Sequence, residues 1–176
     1  GISGGADSAT TLALLHEAKK QNKNINIHPY IIPIEQKESE TNLGIEICEH
    51  FGIEYKIADL TNIYKEFIKD GNLGTSKIRQ GNIKARIRMT YLYDQAHSFN
   101  GIVISTDNFS EYTAGFYTVH GDVGDFAPLQ GLFKSSEIPL LAKELRVPEK
   151  FWRVTPTDGL GISNSDEEQL GMTYLE

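Results

Sequence analysis

Short apolar, β-branched segments alternate along this chain with longer stretches whose apolar residues recur at helical spacing. The predicted strands are residues 25–32, 53–58 and 101–105, and the predicted helices are residues 9–21, 40–51, 60–69, 82–99 and 134–145. Such alternation is typical of a parallel sheet in which a helix connects each strand to the next. The sequence therefore predicts an α/β fold, with a parallel sheet flanked by helices and right-handed crossovers.

The size and composition of the chain suit one domain of a globular protein. Its 176 residues are 39% hydrophobic, and a chain near this length buries about two-thirds of the surface that it exposes when unfolded. No apolar run approaches the roughly 18 residues of a membrane span, and no signal peptide is visible. The single cysteine, Cys48, excludes an intrachain disulfide and favours the cytoplasm.

The charge balance narrows the class of partner. Lysine and arginine number 17 against 24 acidic residues, which gives a net charge of -7. A protein that binds nucleic acid without sequence preference normally carries an excess of positive charge. We therefore expect small-molecule partners rather than nucleic acid or a membrane.

A glycine-rich loop opens the chain, with the sequence Ile2-Ser3-Gly4-Gly5-Ala6-Asp7-Ser8. Paired glycines let backbone N–H groups approach a ligand, and the following helix adds the positive end of its dipole, which favours an anion. The loop is not a Walker loop, because the lysine of that motif is missing. An aspartate in an anion cradle makes sense if Mg²⁺ joins its carboxylate to a phosphate. The alternative is a simple turn in which Asp7 or Ser8 caps the helix.

The motif Ser-Gly-Gly-x-Asp-Ser at residues 3–8 resembles the pyrophosphate loop of the N-type ATP pyrophosphatases. Members of that superfamily adenylate a carbonyl oxygen, release pyrophosphate and let a nucleophile displace AMP. Further segments resemble those of the ammonia-dependent NAD synthetase family, and they occur in the same order. They are GNIKARIRM at 81–89, STDNFSEY at 105–112, GFYTVHGDVGDFAPL at 115–129, PTDGL at 156–160 and DEEQLG at 166–171.

This resemblance implies a Rossmann-like fold and the conversion of ATP, deamido-NAD and ammonia into NAD, AMP and pyrophosphate. The implied ATP-binding residues are Gly1, Ile2, Ser3, Gly4, Gly5, Ala6, Asp7, Ser8, Thr106, Lys134 and Thr157. The implied deamido-NAD ligands are Arg86 and Asp125, and the implied Mg²⁺ ligands are Asp7 and Glu111. The family also implies a homodimer with the deamido-NAD site at the subunit interface. No general base for ammonia is assigned.

Each of these residues also has an ordinary structural interpretation. Glu111 is otherwise a solvated helix acid, Arg86 a surface arginine and Asp125 a turn former. The roles of Thr106 and Thr157 rest on the family resemblance alone, because a lone threonine after a strand is usually a cap.

Lys134 is interpreted differently from Lys84 and Arg88. Lys134 opens the last long predicted helix, where a cation is unfavourable beside the positive end of the dipole, and this favours a functional role. Arg88 points to nearly the opposite side of an ideal helix from Arg86, so the two are not expected to share one role. Lys84 and Arg88 are interpreted as solvated or paired with acids.

The sequence departs from the family pattern in two places. Val119 stands where many bacterial members have a lysine that contacts deamido-NAD, so this contact is lost or supplied elsewhere. The loop 121–128 is one residue shorter than in common members, so the assignment of Asp125 depends on where the gap falls. We expect residues 1–176 to be a single NAD synthetase catalytic domain that lacks its first strand and helix and its C-terminal segment.

Two other functions stay open from the sequence alone. Another N-type ATP pyrophosphatase, such as a tRNA-modifying enzyme or an amidotransferase ATPase domain, shares the opening loop. The acidic balance and the TDNxSE segment weigh against it. A catalytically inactive nucleotide-binding module is the alternative from another class, and Val119 keeps it open. The native nitrogen donor, ammonia or glutamine through an upstream domain, is not fixed either.

Overall fold

The computed structural model describes residues 1–69 and 73–153, together with the single residues 171 and 173. Within them the chain forms, in order, α1 (Ala6–Gln21), β1 (Tyr30–Ile31), α2 (Glu38–His50), β2 (Lys56–Ile57), α3 (Thr61–Ile68), α4 (Lys77–Ser98), α5 (Phe109–Ala114), α6 (Glu137–Glu144) and α7 (Glu149–Trp152). The predicted α/β fold with a parallel sheet flanked by helices is confirmed. No helix among these residues is long and apolar enough to cross a membrane.

The sheet is organised around β1. Strands β1 and β2 pair in parallel, with Tyr30 opposite Lys56 and Ile31 opposite Ile57. On the other edge of β1, the Ile2 N–H donates to the Tyr30 carbonyl at 2.8 Å. The glycine-rich loop therefore begins beside β1, where ligands of parallel α/β sheets usually bind near the carboxyl ends of strands.

Helices cover both faces of this sheet because side chains alternate along a strand. Ile31 faces one apolar cluster, whose other buried members include Leu12, Ala13, Ile47, Cys48, Ala142 and Phe151 from α1, α2, α6 and α7. Tyr30 and Ile32 face a second cluster with Leu60 and Tyr64, against which apolar side chains of α4 pack. Hydrophobic burial on both sides thus fixes the loop and the helix that follows it.

The first two strands are shorter than predicted. The predicted strand 25–32 is paired only at β1, because Pro29 has no N–H to donate to a ladder. In the predicted strand 53–58 only β2 is paired, because the strand beside it, β1, is equally short.

The predicted strand 101–105 is wrong as a regular strand within the described residues. This segment makes a single isolated parallel bridge, between Ile104 and Phe126. The Val103 N–H donates to the Asp125 carboxylate at 2.8 Å rather than to a strand carbonyl. A side chain has taken the place of ladder pairing at this position.

Three helix starts also differ from the prediction. Helix α1 begins at Ala6 rather than at residue 9, and α4 begins at Lys77 rather than at residue 82. The Ser76 side chain accepts from the Arg79 N–H and so caps α4. Helix α6 begins at Glu137, so Lys134 lies in the turn before it. The dipole argument for Lys134 therefore does not hold.

Candidate active site

The glycine-rich loop is pressed against α2. Gly4 has a φ of +84°, and a Cβ atom there would lie 2.5 Å from Leu43 Cβ and 2.8 Å from the Gly44 nitrogen. Real Cβ atoms do not approach so closely, and the left-handed conformation is itself unfavourable for other residues. Glycine is therefore required at this position by both space and backbone conformation.

Two serines hold the loop from inside. The Ser3 and Ser8 hydroxyl oxygens lie 3.1 Å apart, and Ser8 Oγ also donates to the Gly5 carbonyl at 3.1 Å. Two backbone N–H groups donate to these hydroxyls, Gly4 to Ser8 at 3.2 Å and Gly5 to Ser3 at 3.3 Å. These hydrogen bonds hold N–H and O–H groups together at the start of α1, and the binding of an anion there stays a prediction.

Three predicted site residues converge beside this loop. The Lys134 ammonium lies 2.5 Å from Asp7 Oδ2 and 2.9 Å from Glu111 Oε1. All three side chains are largely buried, with exposed fractions of 9% for Lys134, 15% for Asp7 and 16% for Glu111. One cation thus sits between two carboxylates that are far apart in sequence.

The electrostatics of this cluster favour a cation. Burial raises the pKa of Glu111 above its ordinary value, and the Asp7 carboxylate raises it further, whereas Lys134 opposes both effects. Two carboxylates in a buried place disfavour each other's charge unless a cation lies between them. The two carboxylates therefore favour one positive species between them, and the Lys134 ammonium holds that place.

The residues present fit a magnesium ion. Within the described part of the chain, no three His, Cys, Asp or Glu side chains cluster as a complete metal site. Mg²⁺ is usually held by one or two carboxylates together with substrate phosphates and water. Asp7 and Glu111 supply two carboxylates, and the Lys134 ammonium between them occupies the position of a bound cation.

Asn108 is a member of this site that the sequence analysis missed. Its side chain is fully buried, its Oδ1 accepts from the Glu111 N–H at 2.9 Å, and its Nδ2 donates to Asp7 Oδ1 at 3.3 Å. The spacing of Asn108 and Glu111 is that of a capping box, and the structure contains both of its hydrogen bonds. The capping role was therefore predictable from sequence, but the contact with Asp7 was not.

Of the residues expected to bind deamido-NAD, Arg86 lies on α4, and Asp125 contacts α4 through Tyr93. Exposed Arg86 donates from Nε to the Val119 carbonyl at 3.1 Å. Asp125 accepts from the Tyr93 hydroxyl at 3.1 Å and, with its other oxygen, from the Val103 N–H. Both oxygens of Asp125 are thus already engaged by the protein.

Of the two threonines that are expected to contact ATP, the structure describes only one. Thr106 is half-buried in the segment that leads into α5, between two buried residues. Thr157 lies outside the described residues, as do segment 156–160 and most of segment 166–171. The contacts of both threonines with ATP stay predictions.

Comparison with known proteins identifies the family. The family model described as NAD synthase matches residues 1–176. The chain belongs to the NAD synthase family. An NH3-dependent NAD+ synthetase from Methanocaldococcus jannaschii is 39% identical over 99% of this chain and 68% of that protein. The enzyme of the same name from Campylobacter jejuni subsp. doylei is 38% identical over 100% of this chain and 70% of that protein. The resemblance stated from the motifs is confirmed.

Solved structures give the same family and fold. An NMN synthetase from Francisella tularensis superposes with a TM-score of 0.90 at 33% identity, over 100% of this chain and 72% of that one. An NH3-dependent NAD synthetase from Campylobacter jejuni subsp. jejuni, in complex with the nitrate ion, gives 0.78 at 36% identity, over 87% and 65%. An NAD+ synthetase from Burkholderia pseudomallei gives 0.79 at 26% identity, over 99% and 69%. The Rossmann-like fold of this family member is thereby confirmed.

Proposed function

We propose that this member of the NAD synthase family is a ligase that adenylates deamido-NAD with ATP and amidates the product with ammonia, giving NAD, AMP and pyrophosphate. The observation that carries the proposal is the pair Asp7 and Glu111 closed around one cation beside a glycine-rich anion loop. Family membership over residues 1–176 supplies the reaction class.

The reaction joins two polyanions, which explains the composition of the site. The nicotinate carboxylate attacks the α-phosphorus of ATP, and the bond from that phosphorus to the β-phosphate oxygen breaks with release of pyrophosphate. Ammonia then attacks the acyl carbon, AMP leaves with the electron pair of the acyl–oxygen bond, and a proton is released. Mg²⁺, when bound, supplies charge neutralisation for the phosphates.

We assign the residues of this chain as follows. The loop Gly1–Ser8, Thr106 and Thr157 bind ATP, while Asp7 and Glu111 hold Mg²⁺. Lys134, whose charge is already in the cluster, would pair with the phosphates when Asp7 and Glu111 hold Mg²⁺. The positive end of α1 favours the same anion.

The nicotinate nucleotide is proposed to lie near Arg86 and Asp125. Arg86 is exposed and its Nε donates to the Val119 carbonyl, so a cation lies beside the position at which the family pattern has a lysine. Asp125 would have to exchange a hydrogen bond with Tyr93 or Val103 for one with substrate.

We propose further that the protein works as a homodimer in the cytoplasm, with the nicotinate site at the subunit interface. Exposed apolar residues in the loop after α5, such as Tyr117 and Val119, support a covered surface there. The lone buried Cys48 is compatible with a reducing compartment.

A second substrate, nicotinate mononucleotide, is favoured by one observation. One solved relative that superposes over the whole chain, with a TM-score of 0.90, is an NMN synthetase from Francisella tularensis. The chemistry is unchanged, since the same nicotinate carboxylate is adenylated and amidated. The choice between dinucleotide and mononucleotide is made by the site beyond that ring.

The experiment is an assay with ATP, Mg²⁺ and ¹⁵N-ammonium, in which deamido-NAD and nicotinate mononucleotide are supplied separately. We expect ¹⁵N-labelled NAD with AMP and pyrophosphate in equal amounts, and a higher kcat/KM for deamido-NAD. A higher kcat/KM for the mononucleotide would transfer the proposal to that substrate. Binding of ATP without AMP release from either acceptor would contradict both and favour an inactive module.

A further inference from the structure

The two carboxylates of the proposed cation site are each held at both oxygens. Asp7 Oδ2 and Glu111 Oε1 face the Lys134 ammonium. The other oxygen of each carboxylate contacts Asn108, because Asp7 Oδ1 accepts from the Asn108 side chain at 3.3 Å and Glu111 Oε2 accepts from the Asn108 N–H at 3.4 Å. One residue thus supports both carboxylates from the side opposite the cation.

The orientation of the Asn108 amide follows from its neighbours. The Glu111 N–H can only donate, and it points to Asn108 Oδ1 at 2.9 Å. The amide nitrogen is therefore the atom directed at Asp7, and it donates to that carboxylate. Because the Asn108 side chain is fully buried, water does not compete for these contacts.

We infer that Asn108 is a positioning residue for the cation, which aims Asp7 Oδ2 and Glu111 Oε1 at one common point. The inference rests on the proposed function, in which those carboxylates hold Mg²⁺. Groups that hydrogen-bond metal ligands from behind fix the orientation of those ligands, and their loss typically weakens metal affinity by about 10- to 100-fold. Capping of α5 alone would not require a contact with Asp7.

The test separates positioning from capping by substitution with another capping residue. Asn108→Ser keeps an N-cap oxygen for α5, since serine caps about as well as asparagine. It removes the amide that reaches Asp7 and adds no charge. Asn108→Thr does the same while filling more of the buried volume, and it serves if the serine variant does not fold. The control is Asn22→Ser, the same change at an asparagine that accepts the Asn24 N–H beyond the far end of α1.

The readout is the affinity for α,β-methylene-ATP, measured by calorimetry with Mg²⁺ and with EDTA. The ratio of the two dissociation constants is the coupling between metal and nucleotide. We expect the wild-type chain and Asn22→Ser to share one ratio. In the Asn108 variants this ratio should fall at least about tenfold, while the affinity measured in EDTA stays unchanged.

Other results would overturn the inference in distinguishable ways. A ratio within about twofold of wild type in either folded Asn108 variant would leave Asn108 as a helix cap. An equal loss of affinity with and without Mg²⁺ would indicate general damage to the loop rather than positioning. A wild-type chain with no Mg²⁺ dependence would remove the proposed cation site, and the role of Asn108 with it.

Discussion

Lys134 is the residue on which the resting charge balance of the site depends. Its ammonium is the cation between Asp7 and Glu111, and all three side chains are largely buried. Removing one partner of a buried ion pair costs more than removing a surface pair, because an uncompensated charge stays in a poorly solvated place. The carboxylates therefore need either this lysine or a metal ion.

The corresponding prediction concerns Lys134→Met. We expect this variant to lose about 3 to 5 kcal/mol of unfolding free energy without Mg²⁺ and to recover part of the loss when Mg²⁺ is added. The free energy of unfolding in urea, measured with and without MgCl₂, gives both the loss and the recovery. The control is Lys150→Met, whose partner Glu46 is about half exposed, and which should cost at most about 1 kcal/mol. Equal losses in the two variants, or no recovery with Mg²⁺, would contradict the prediction.

At the scale of elements, the loop before α1 is shaped by α2 and the segment after β1 is shaped by α4. Arg88 donates to the Ile32 carbonyl at 2.9 Å and to the Gln36 side chain at 3.2 Å, and Lys84 pairs with Glu35 at 3.2 Å. The interpretation of Lys84 as paired with an acid is confirmed, whereas Arg88 is bonded to uncharged partners. Burial lowers the pKa of Arg88 to about 10, which leaves it charged at neutral pH.

The limits of sequence reasoning also appear at this scale. Helices α1 to α4 were predicted because their apolar periodicity and core contacts agree, as at Leu12 and Ile47. The start of α4 was missed because its Ser76 cap lies in a polar segment without apolar periodicity. The segment 101–105 was misjudged as a regular strand because it pairs with the backbone of residues 125 and 126 at one bridge only, and the Asp125 carboxylate takes the Val103 N–H. Amino-acid composition does not show whether a backbone N–H will donate to a carboxylate or to the carbonyl of a neighbouring strand.

Gly4 gives a prediction about the contact between the loop and α2. Gly4→Ala introduces left-handed strain of about 1 to 2 kcal/mol and overpacking against Leu43 of about 1 to 3 kcal/mol more. Gly52→Ala is the matched control, since Gly52 has a φ of +62° with no atom within 4 Å of an added Cβ. We expect chemical denaturation to show the larger loss for Gly4→Ala, accompanied by weaker ATP binding. Identical stability losses would show that the contact with α2 does not constrain the loop.

Arg88 gives a prediction about the segment that follows β1, which we propose to contact the adenine of ATP because it lies at the carboxyl end of a parallel strand. Arg88→Met keeps an unbranched side chain at this position but removes the hydrogen bonds to Ile32 and Gln36. We expect KM for ATP to rise by about tenfold, as for the loss of a charged hydrogen bond, with a smaller change in KM for the nicotinate substrate. Steady-state kinetics measure the two constants. Arg153→Met, at an exposed ion pair, is the control, and equal changes in both KM values would contradict the prediction.

For the whole molecule, the net charge of -7 conflicts with binding two polyanions unless a local site overcomes it. The structure brings Asp7, Asn108, Glu111 and Lys134 together from the two ends of the described chain. No local pattern in the sequence contains such a contact, so the motifs located the residues while only the fold shows which of them touch. The family resemblance predicted Asp7 and Glu111 as ligands of one metal ion and Lys134 as an ATP contact, whereas Asn108, although it lies in the segment STDNFSEY, was given no role.

A prediction for the whole molecule follows from ligand linkage. A ligand that binds only the folded chain stabilises it, by about 2.7 kcal/mol at a concentration of 100 times its Kd. We expect ATP with Mg²⁺ to raise the Tm more than ATP with EDTA, and Asp7→Asn to remove that difference and abolish turnover while keeping the fold. Thermal unfolding followed by fluorescence, with an assay of AMP release, measures both. Turnover at the wild-type rate in Asp7→Asn would refute the metal role of this carboxylate.

The distance in sequence between Asp7 and Lys134 also has a consequence for synthesis on the ribosome. The glycine-rich loop and α1 are made before the lysine that contacts Asp7, because 127 residues separate Asp7 from Lys134. Until Lys134 has been made, the Asp7 carboxylate lacks the ammonium that lies beside it in the folded chain. The cluster of Asp7, Glu111 and Lys134 can therefore close only after synthesis has passed residue 134.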